Sequence, residues 1–288
     1  MKTFFDCIPC FVRQALDSVR RATDDETVQE QVLRATLRAI SEMDLRGSPP
    51  AMGHKIHGFI RAHVGACDPY REMKDRSNEL ALELYPALKS RVEGSRDPLE
   101  TAVRLAIAGN IMDVAVNGDV GQINVEEAIE HALTSPLDCG MGCFASAVSA
   151  AKRILYLADN AGEIVLDRLL LERLPLKKVT VAVRGAPVIN DATMADAQVA
   201  GITEMAEVID NGSDVPGTIL EECSATFRRC FDEADLVIAK GQGNYETLSE
   251  LDKDIFFVLK AKCPVIARDL GCEVGALVLR RSADALVA

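Results

Sequence analysis

Four short apolar runs in the second half of the chain are each followed by residues able to bind ions or phosphate. Asp159-Asn160-Ala161-Gly162-Glu163 follows the first run, and Arg184-Gly185-Ala186-Pro187, then Asn190-Asp191, follow the second. The third ends in Asp210-Asn211-Gly212-Ser213-Asp214, and the fourth in Lys240-Gly241-Gln242-Gly243-Asn244. Turns favour Asp, Asn and Gly whatever their function, which accounts for any one of these clusters but poorly for all four in succession. If the runs are parallel strands of one open sheet, the clusters gather at its carboxyl edge, where such sheets bind ligands.

Asp159, Asn160 and Asp191 offer hard oxygen ligands with no sulfur or imidazole nearby in sequence, a set suited to Mg²⁺ or Mn²⁺. Lys240 stands beside Gly241 and Gly243, where backbone N–H groups and an ammonium could together hold a phosphate. The spacing is neither that of a Walker A loop nor that of a dinucleotide fingerprint. A metal beside a phosphate pocket points to hydrolysis of a phosphoester by a metal-activated water.

Each residue also has a plainer reading. Asp159 and Asn160 could cap the helix that follows. Glu163 could orient a water molecule or be an ordinary acid of a helix's first turn. Asn110 and Asp113, spaced i, i+3 in an otherwise apolar helical stretch, could share one face toward a ligand or form a hydrogen-bonded cap. Arg184 and Asp214 are candidates for substrate contacts. The histidines, His54, His57, His63 and His131, show no metal-ligand spacing. Cys7 and Cys10 with Cys139 and Cys143 could form a zinc site, but the long second spacing favours thiols buried as small hydrophobes.

These residues need a scaffold to converge. The first half has helical periodicity at 7–22, 26–43, 51–64, 69–92, 97–116 and 125–134. From residue 153 the pattern changes to short apolar runs at 154–158, 179–183, 206–209, 236–239, 256–259 and 276–279. Amphipathic stretches near 163–174, 191–200, 218–231 and 245–251 separate them. Continuous apolar strands alternating with helices indicate a mainly parallel sheet buried on both faces. The expected fold is therefore α/β: a helical N-terminal part over residues 1–150, contributing to the active site, and a Rossmann-like three-layer α/β/α domain over 151–288. With no low-complexity linker between them, their boundary is expected to be a packed junction.

Composition narrows the partners. The 288 residues carry 44 acidic and 32 basic side chains, a formal net charge of −12, with the basic residues scattered in pairs. Such a chain is repelled by nucleic acid and by anionic membranes. No apolar run approaches the roughly 20 residues of a membrane helix. Nine cysteines in a chain this long fit reduced thiols in a cytoplasm rather than a disulfide scaffold.

Several blocks of the sequence resemble the metal-dependent damage-control phosphatases, also known as domain-of-unknown-function family 89, in their prokaryotic stand-alone branch with an N-terminal CxxC. The blocks are Cys7-Ile8-Pro9-Cys10, Asp68-Pro69-Tyr70, Gly109-Asn110-Ile111-Met112-Asp113, Asp159 to Glu163, Ile189-Asn190-Asp191-Ala192-Thr193, Lys240 to Leu248 and Lys260-Ala261-Lys262-Cys263-Pro264. The resemblance implies a helical region on a Rossmann-like core and a divalent metal held by Asp159, Asn160 and Asp191. It implies Mn²⁺ or Mg²⁺, with Co²⁺ or Ni²⁺ also supporting activity, and small phosphorylated metabolites as substrates. It further implies that Lys240 contacts the phosphate and that Asn110 and Asp113 lie in the pocket. A sugar-phosphate or nucleotide transferase and a non-catalytic metabolite- or metal-binding protein are the competing readings.

Overall fold

The computed structural model describes residues 1–65, 68–109 and 125–282; Asn110 and Asp113 lie outside the described residues. Its centre is a sheet of β1 (Leu137–Cys139), β2 (Ile154–Leu157), β3 (Val179–Val183), β4 (Glu207–Asp210), β5 (Leu236–Lys240), β6 (Ile255–Lys260) and β7 (Leu277–Arg281). The spatial order is β1-β7-β6-β5-β2-β3-β4. Strands β2 to β6 are parallel; β7 runs antiparallel to β6, and β1 follows β7. Strand order therefore reverses between β2 and β5, and the loops leaving these two strands flank the crevice of the switch point.

Every residue of β2 and β5 is buried, as expected of central strands covered on both faces. One face, with Tyr156, Val181, Ile238, Phe256 and Val258, packs against α4 (Arg71–Glu93), α5 (Pro98–Ala108), α6 (Val125–Thr134), α7 (Met141–Ala150) and α8 (Glu163–Leu171). The short α9 (Met194–Val199) joins the same core through Ala197. The other face, with Leu155, Leu157, Val237, Ala239 and Phe257, is covered by α10 (Ala225–Glu233), α11 (Gly241–Leu248) and α12 (Pro264–Leu270). This is the three-layer α/β/α architecture expected. Helices α1 (Cys7–Ala22), α2 (Glu26–Ser41) and α3 (Pro49–Val64) enclose a smaller core of Phe11, Ala15, Val19, Val32, Met52 and Ile56. Among the described residues, those up to 150 thus supply that small bundle, one edge strand and four helices of a sheet-covering layer.

Local chemistry sets several boundaries. Asp25 caps α2 by accepting from Thr27 and Val28. Asp97 caps α5 by accepting from Glu100 N, with Pro98 in the first turn. Where the structure departs from the sequence pattern, the reasons are physical. Strand β1 has only three residues, with Asp138 between Leu137 and Cys139, and shows no periodicity. Helix α7 buries only Phe144 and Val148 of ten small-residue-rich positions, so it has no apolar stripe. Helix α12 was hidden by its length of seven residues and its opening proline. The stretch expected as helix from 218 becomes α-helical only at Ala225, because Thr218 is tied instead to Thr247 Oγ1 through its backbone N–H. Among the described residues no helix is long and apolar enough to cross a membrane.

The contribution of α7 can be measured directly. Phe144 is fully buried and meets Phe256 edge-on, with ring centroids 5.2 Å apart. Phe144→Ala is expected to cost about 3–5 kcal/mol in denaturant unfolding; a loss below about 1 kcal/mol would mean that α7 is not an integral part of the core.

Candidate active site

The chain after β2 and the chain after β3 are zipped together by backbone hydrogen bonds. Ala192 N donates to Asp159 O at 2.7 Å and Ala161 N to Asn190 O at 2.9 Å, making an antiparallel bridge between Asn160 and Asp191. Asp159, Asn160 and Asp191, far apart in sequence, are thereby held at one place. They are 7%, 5% and 5% exposed, nearly buried but not sealed off. Asn160 Nδ2 donates to Asp159 Oδ2 at 3.0 Å and to Glu163 Oε2 at 3.3 Å, which leaves its Oδ1 as the atom able to face a cation.

The electrostatics of this cluster are strained. Burial, reinforced by the Glu163 and Asp191 carboxylates, pushes the Asp159 carboxyl well above its ordinary range. Burial also raises Asp191, against the pull of the Arg184 guanidinium, whose Nε donates to Asp191 Oδ2 at 2.6 Å. Arg184 is itself buried and reaches Thr218 Oγ1 at 3.3 Å and Asn244 Oδ1 at 3.4 Å. Among the described residues, no cationic side chain lies within ion-pairing distance of Asp159. An oxygen-only donor set carrying uncompensated negative charge fits a hard divalent cation. It does so with two carboxylates and an amide oxygen; among the described residues no cluster of three or more His, Cys, Asp or Glu side chains is arranged to hold a metal.

Lys240 stands at the strand end expected, but in surroundings the sequence did not suggest. It is fully buried at the end of β5. Its Nζ donates to Glu163 Oε1 at 2.7 Å, to Asp167 Oδ1 at 2.5 Å and to Ala106 O at 2.9 Å, which uses all three N–H bonds. Burial alone would lower its pKa, but the Asp167 and Glu163 carboxylates outweigh it and raise the ammonium above its usual value. Burial in turn pushes the Asp167 carboxyl up to about 6. A loop lysine open to phosphate does not describe this arrangement.

The glycines serve close packing. Gly241 has φ +77°, and a Cβ there would stand 1.9 Å from Asp159 Oδ2, so glycine is required by backbone and by space alike. Gly243 O abuts Gly217, where a Cβ would come within 2.3 Å. These contacts seat the start of α11 against Asp159 at the switch point, where its first-turn N–H groups lack intrahelical partners. Asp214 is engaged by α3, lying 3.1 Å from His54 Nε2 and pairing with Arg61 at 2.5 Å. Cys7 is half-buried, its thiol pushed up by burial, while Cys10 and Cys143 are exposed. Asp167 and Thr218 were missed by sequence reasoning, and Asn244 was named only as the end of the fourth cluster. Asp167 left a signal, as an acid one turn beyond Glu163 in the apolar helix α8.

A model of the damage-control phosphatase ARMT1-like domain matches residues 3–278. The chain belongs to this family. Among similar damage-control phosphatases, that of Archaeoglobus fulgidus is 36% identical, covering 95% of this chain and 97% of its own. The damage-control phosphatase PH1575 of Pyrococcus horikoshii is 37% identical over 98% and 99% of the two chains. An uncharacterized Methanocaldococcus jannaschii protein is 38% identical over 95% and 93%. The crystal structure of the Pyrococcus horikoshii DUF89 protein superposes with a TM-score of 0.87 at 34% identity, covering 98% of this chain and 99% of that one. Family membership makes the chain a phosphatase and its substrates phosphorylated small molecules.

In this damage-control phosphatase, Lys240→Met would strand two buried carboxylates. Removing one partner of a buried ion pair costs about 3–5 kcal/mol, and unfolding of the variant should show a loss of that size. Adding Asp167→Asn to Lys240→Met is expected to restore part of it. A stability equal to that of the wild type would mean that the ammonium is not buried between these carboxylates.

Proposed function

We propose that the chain is a metal-dependent phosphoric monoester hydrolase acting on small phosphorylated metabolites, either sugar phosphates or damaged phosphometabolites. The observation that carries this reading is the backbone bridge that gathers Asp159, Asn160 and Asp191 beside Gly241 at the switch point. Those three residues would hold the divalent metal, Mn²⁺ or Mg²⁺, with Co²⁺ or Ni²⁺ as substitutes. When bound, such a metal lowers the pKa of a water nucleophile and polarises the phosphoryl oxygens.

The protein's own groups have separate tasks. Arg184 balances Asp191, so that the site does not carry an unneutralised charge for each carboxylate. Glu163 is held from two sides, by Asn160 Nδ2 and by Lys240 Nζ, and its Oε2 is placed to take a proton from the attacking water. Lys240 acts through Glu163 in this arrangement; direct contact with a phosphate would require it to give up one of its three partners. Among the described residues, the first-turn N–H groups of α11 can serve as phosphate-binding donors.

Phosphate release from a panel of sugar phosphates, with Mn²⁺ added and after EDTA treatment, tests the reading. Activity is expected only with the metal, and undiminished release after exhaustive chelation would overturn the mechanism. A binding protein would release no phosphate, and a transferase would need an acceptor other than water. Asp191→Asn should weaken Mn²⁺ binding and turnover. It should also destabilise the fold by about 1–3 kcal/mol, because the buried Arg184 loses its charged acceptor. Unaltered Mn²⁺ affinity in that variant would remove Asp191 from the ligand set.

A further inference from the structure

Asn78 lies on α4, in the helical layer, and is fully buried. Its side-chain amide reaches both loops that carry the candidate ligands. Oδ1 accepts from Gly162 N at 2.7 Å, and Nδ2 donates to Asp196 Oδ1 at 3.0 Å. Gly162 closes the loop that begins at Asp159 and turns the chain into α8 with φ +73°. Asp196 belongs to the capping box that starts α9: its Oδ2 accepts from Thr193 N at 2.8 Å and from Thr193 Oγ1 at 2.7 Å. Thr193 is two residues beyond Asp191. One turn earlier on α4, the buried Lys74 neutralises Asp196 at 2.9 Å.

We propose that Asn78 is a positioning residue of the metal centre, setting the separation between the Asp159-Asn160 loop and the Asp191 loop. The inference rests on the metal reading above. The backbone bonds between these loops fix their register but join them along a single line. Asn78 adds a third point of attachment from another layer of the fold. Both ends of its amide are used, so its loss would leave Gly162 N buried without an acceptor and Asp196 Oδ1 with the Arg71 guanidinium at 3.5 Å in place of its hydrogen bond. Groups that orient metal ligands without touching the metal commonly matter to affinity nearly as much as the ligands do. This gives the helical layer a role in the site through described residues alone.

Mn²⁺ titration by calorimetry, compared across variants of the full chain, tests the proposal without reference to turnover. Asn78→Ala is expected to weaken Mn²⁺ binding by about 10- to 100-fold and to speed hydrogen exchange at the Gly162 amide in the metal-free chain. Tyr85→Phe is the control: Tyr85 lies about two turns further along α4 and donates to Glu172 Oε1 at 2.6 Å, so its loss should lower stability but leave Mn²⁺ affinity unchanged. The reciprocal exchange, Asn78→Asp with Asp196→Asn, rebuilds the donor–acceptor pair beside Lys74 and is expected to recover most of the affinity. Should the alanine variant not fold, Asn78→Asp alone keeps the Gly162 acceptor but sets a carboxylate against the Asp196 carboxylate in place of a donor, and a loss of Mn²⁺ affinity that the reciprocal exchange reverses is expected. Wild-type Mn²⁺ affinity in the Asn78 variants, or an equal loss in Tyr85→Phe, would overturn the proposal. Failure of the wild-type chain to bind Mn²⁺ would overturn the metal reading itself, and this inference with it.

Discussion

The site is organised around a buried ammonium. An isolated charge in a protein interior costs several kcal/mol even after relaxation, and it survives only with charged partners and full hydrogen bonding. Lys240 meets both conditions by drawing on three elements: Glu163 and Asp167 from α8, and the Ala106 carbonyl from the last turn of α5. Strand β5, helix α8 and helix α5 therefore cannot shift independently. The same contacts aim Glu163 toward Asn160. Close packing extends the constraint, since a Cβ on Gly109, at the end of α5, would lie 3.0 Å from Glu163 Cγ.

Around this anchor, most buried acids have a dedicated cation. Glu163 and Asp167 share Lys240, Asp191 has Arg184, and Asp196 has Lys74. Asp159 differs, because among the described residues its one hydrogen-bond donor is the neutral amide of Asn160. Asp159 is thus the candidate ligand that lacks a cationic partner among the described residues. That lack is the physical support for placing a divalent cation there; burial first, then the Glu163 and Asp191 carboxylates, raises the Asp159 carboxyl. The surrounding ion pairs fix the neighbouring loops while leaving this one position short of positive charge.

Much of this was legible from residue order. Continuous apolar runs marked β2, β3, β5 and β6, because strands buried on both faces must be apolar throughout; shorter runs marked β7 and the edge strand β4, whose Glu207 and Asp210 are exposed. Asp159, Asn160 and Asp191 could be grouped because each follows such a run. The elements that escaped notice were short or weakly patterned: β1 with its central Asp138, α7 with only two buried side chains, and α12 behind Pro264. Lys240 was correctly placed at a strand end. Its neighbouring glycines suggested an open phosphate loop, whereas they allow tight packing against Asp159 and Gly217.

What the sequence by itself determined is the fold class, the order of strands and helices along the chain, and which polar residues stand at strand ends, since periodicity and turn chemistry are local properties. Only the tertiary structure decided the partners. Lys240 meets Asp167 across 73 residues and Ala106 across 134, and Asn78 meets Gly162 across 84. Strand order decided which loops became neighbours, and burial decided which charges had to be neutralised once they were. Neither quantity is encoded in local spacing, because both arise only when layers close on one another and exclude water.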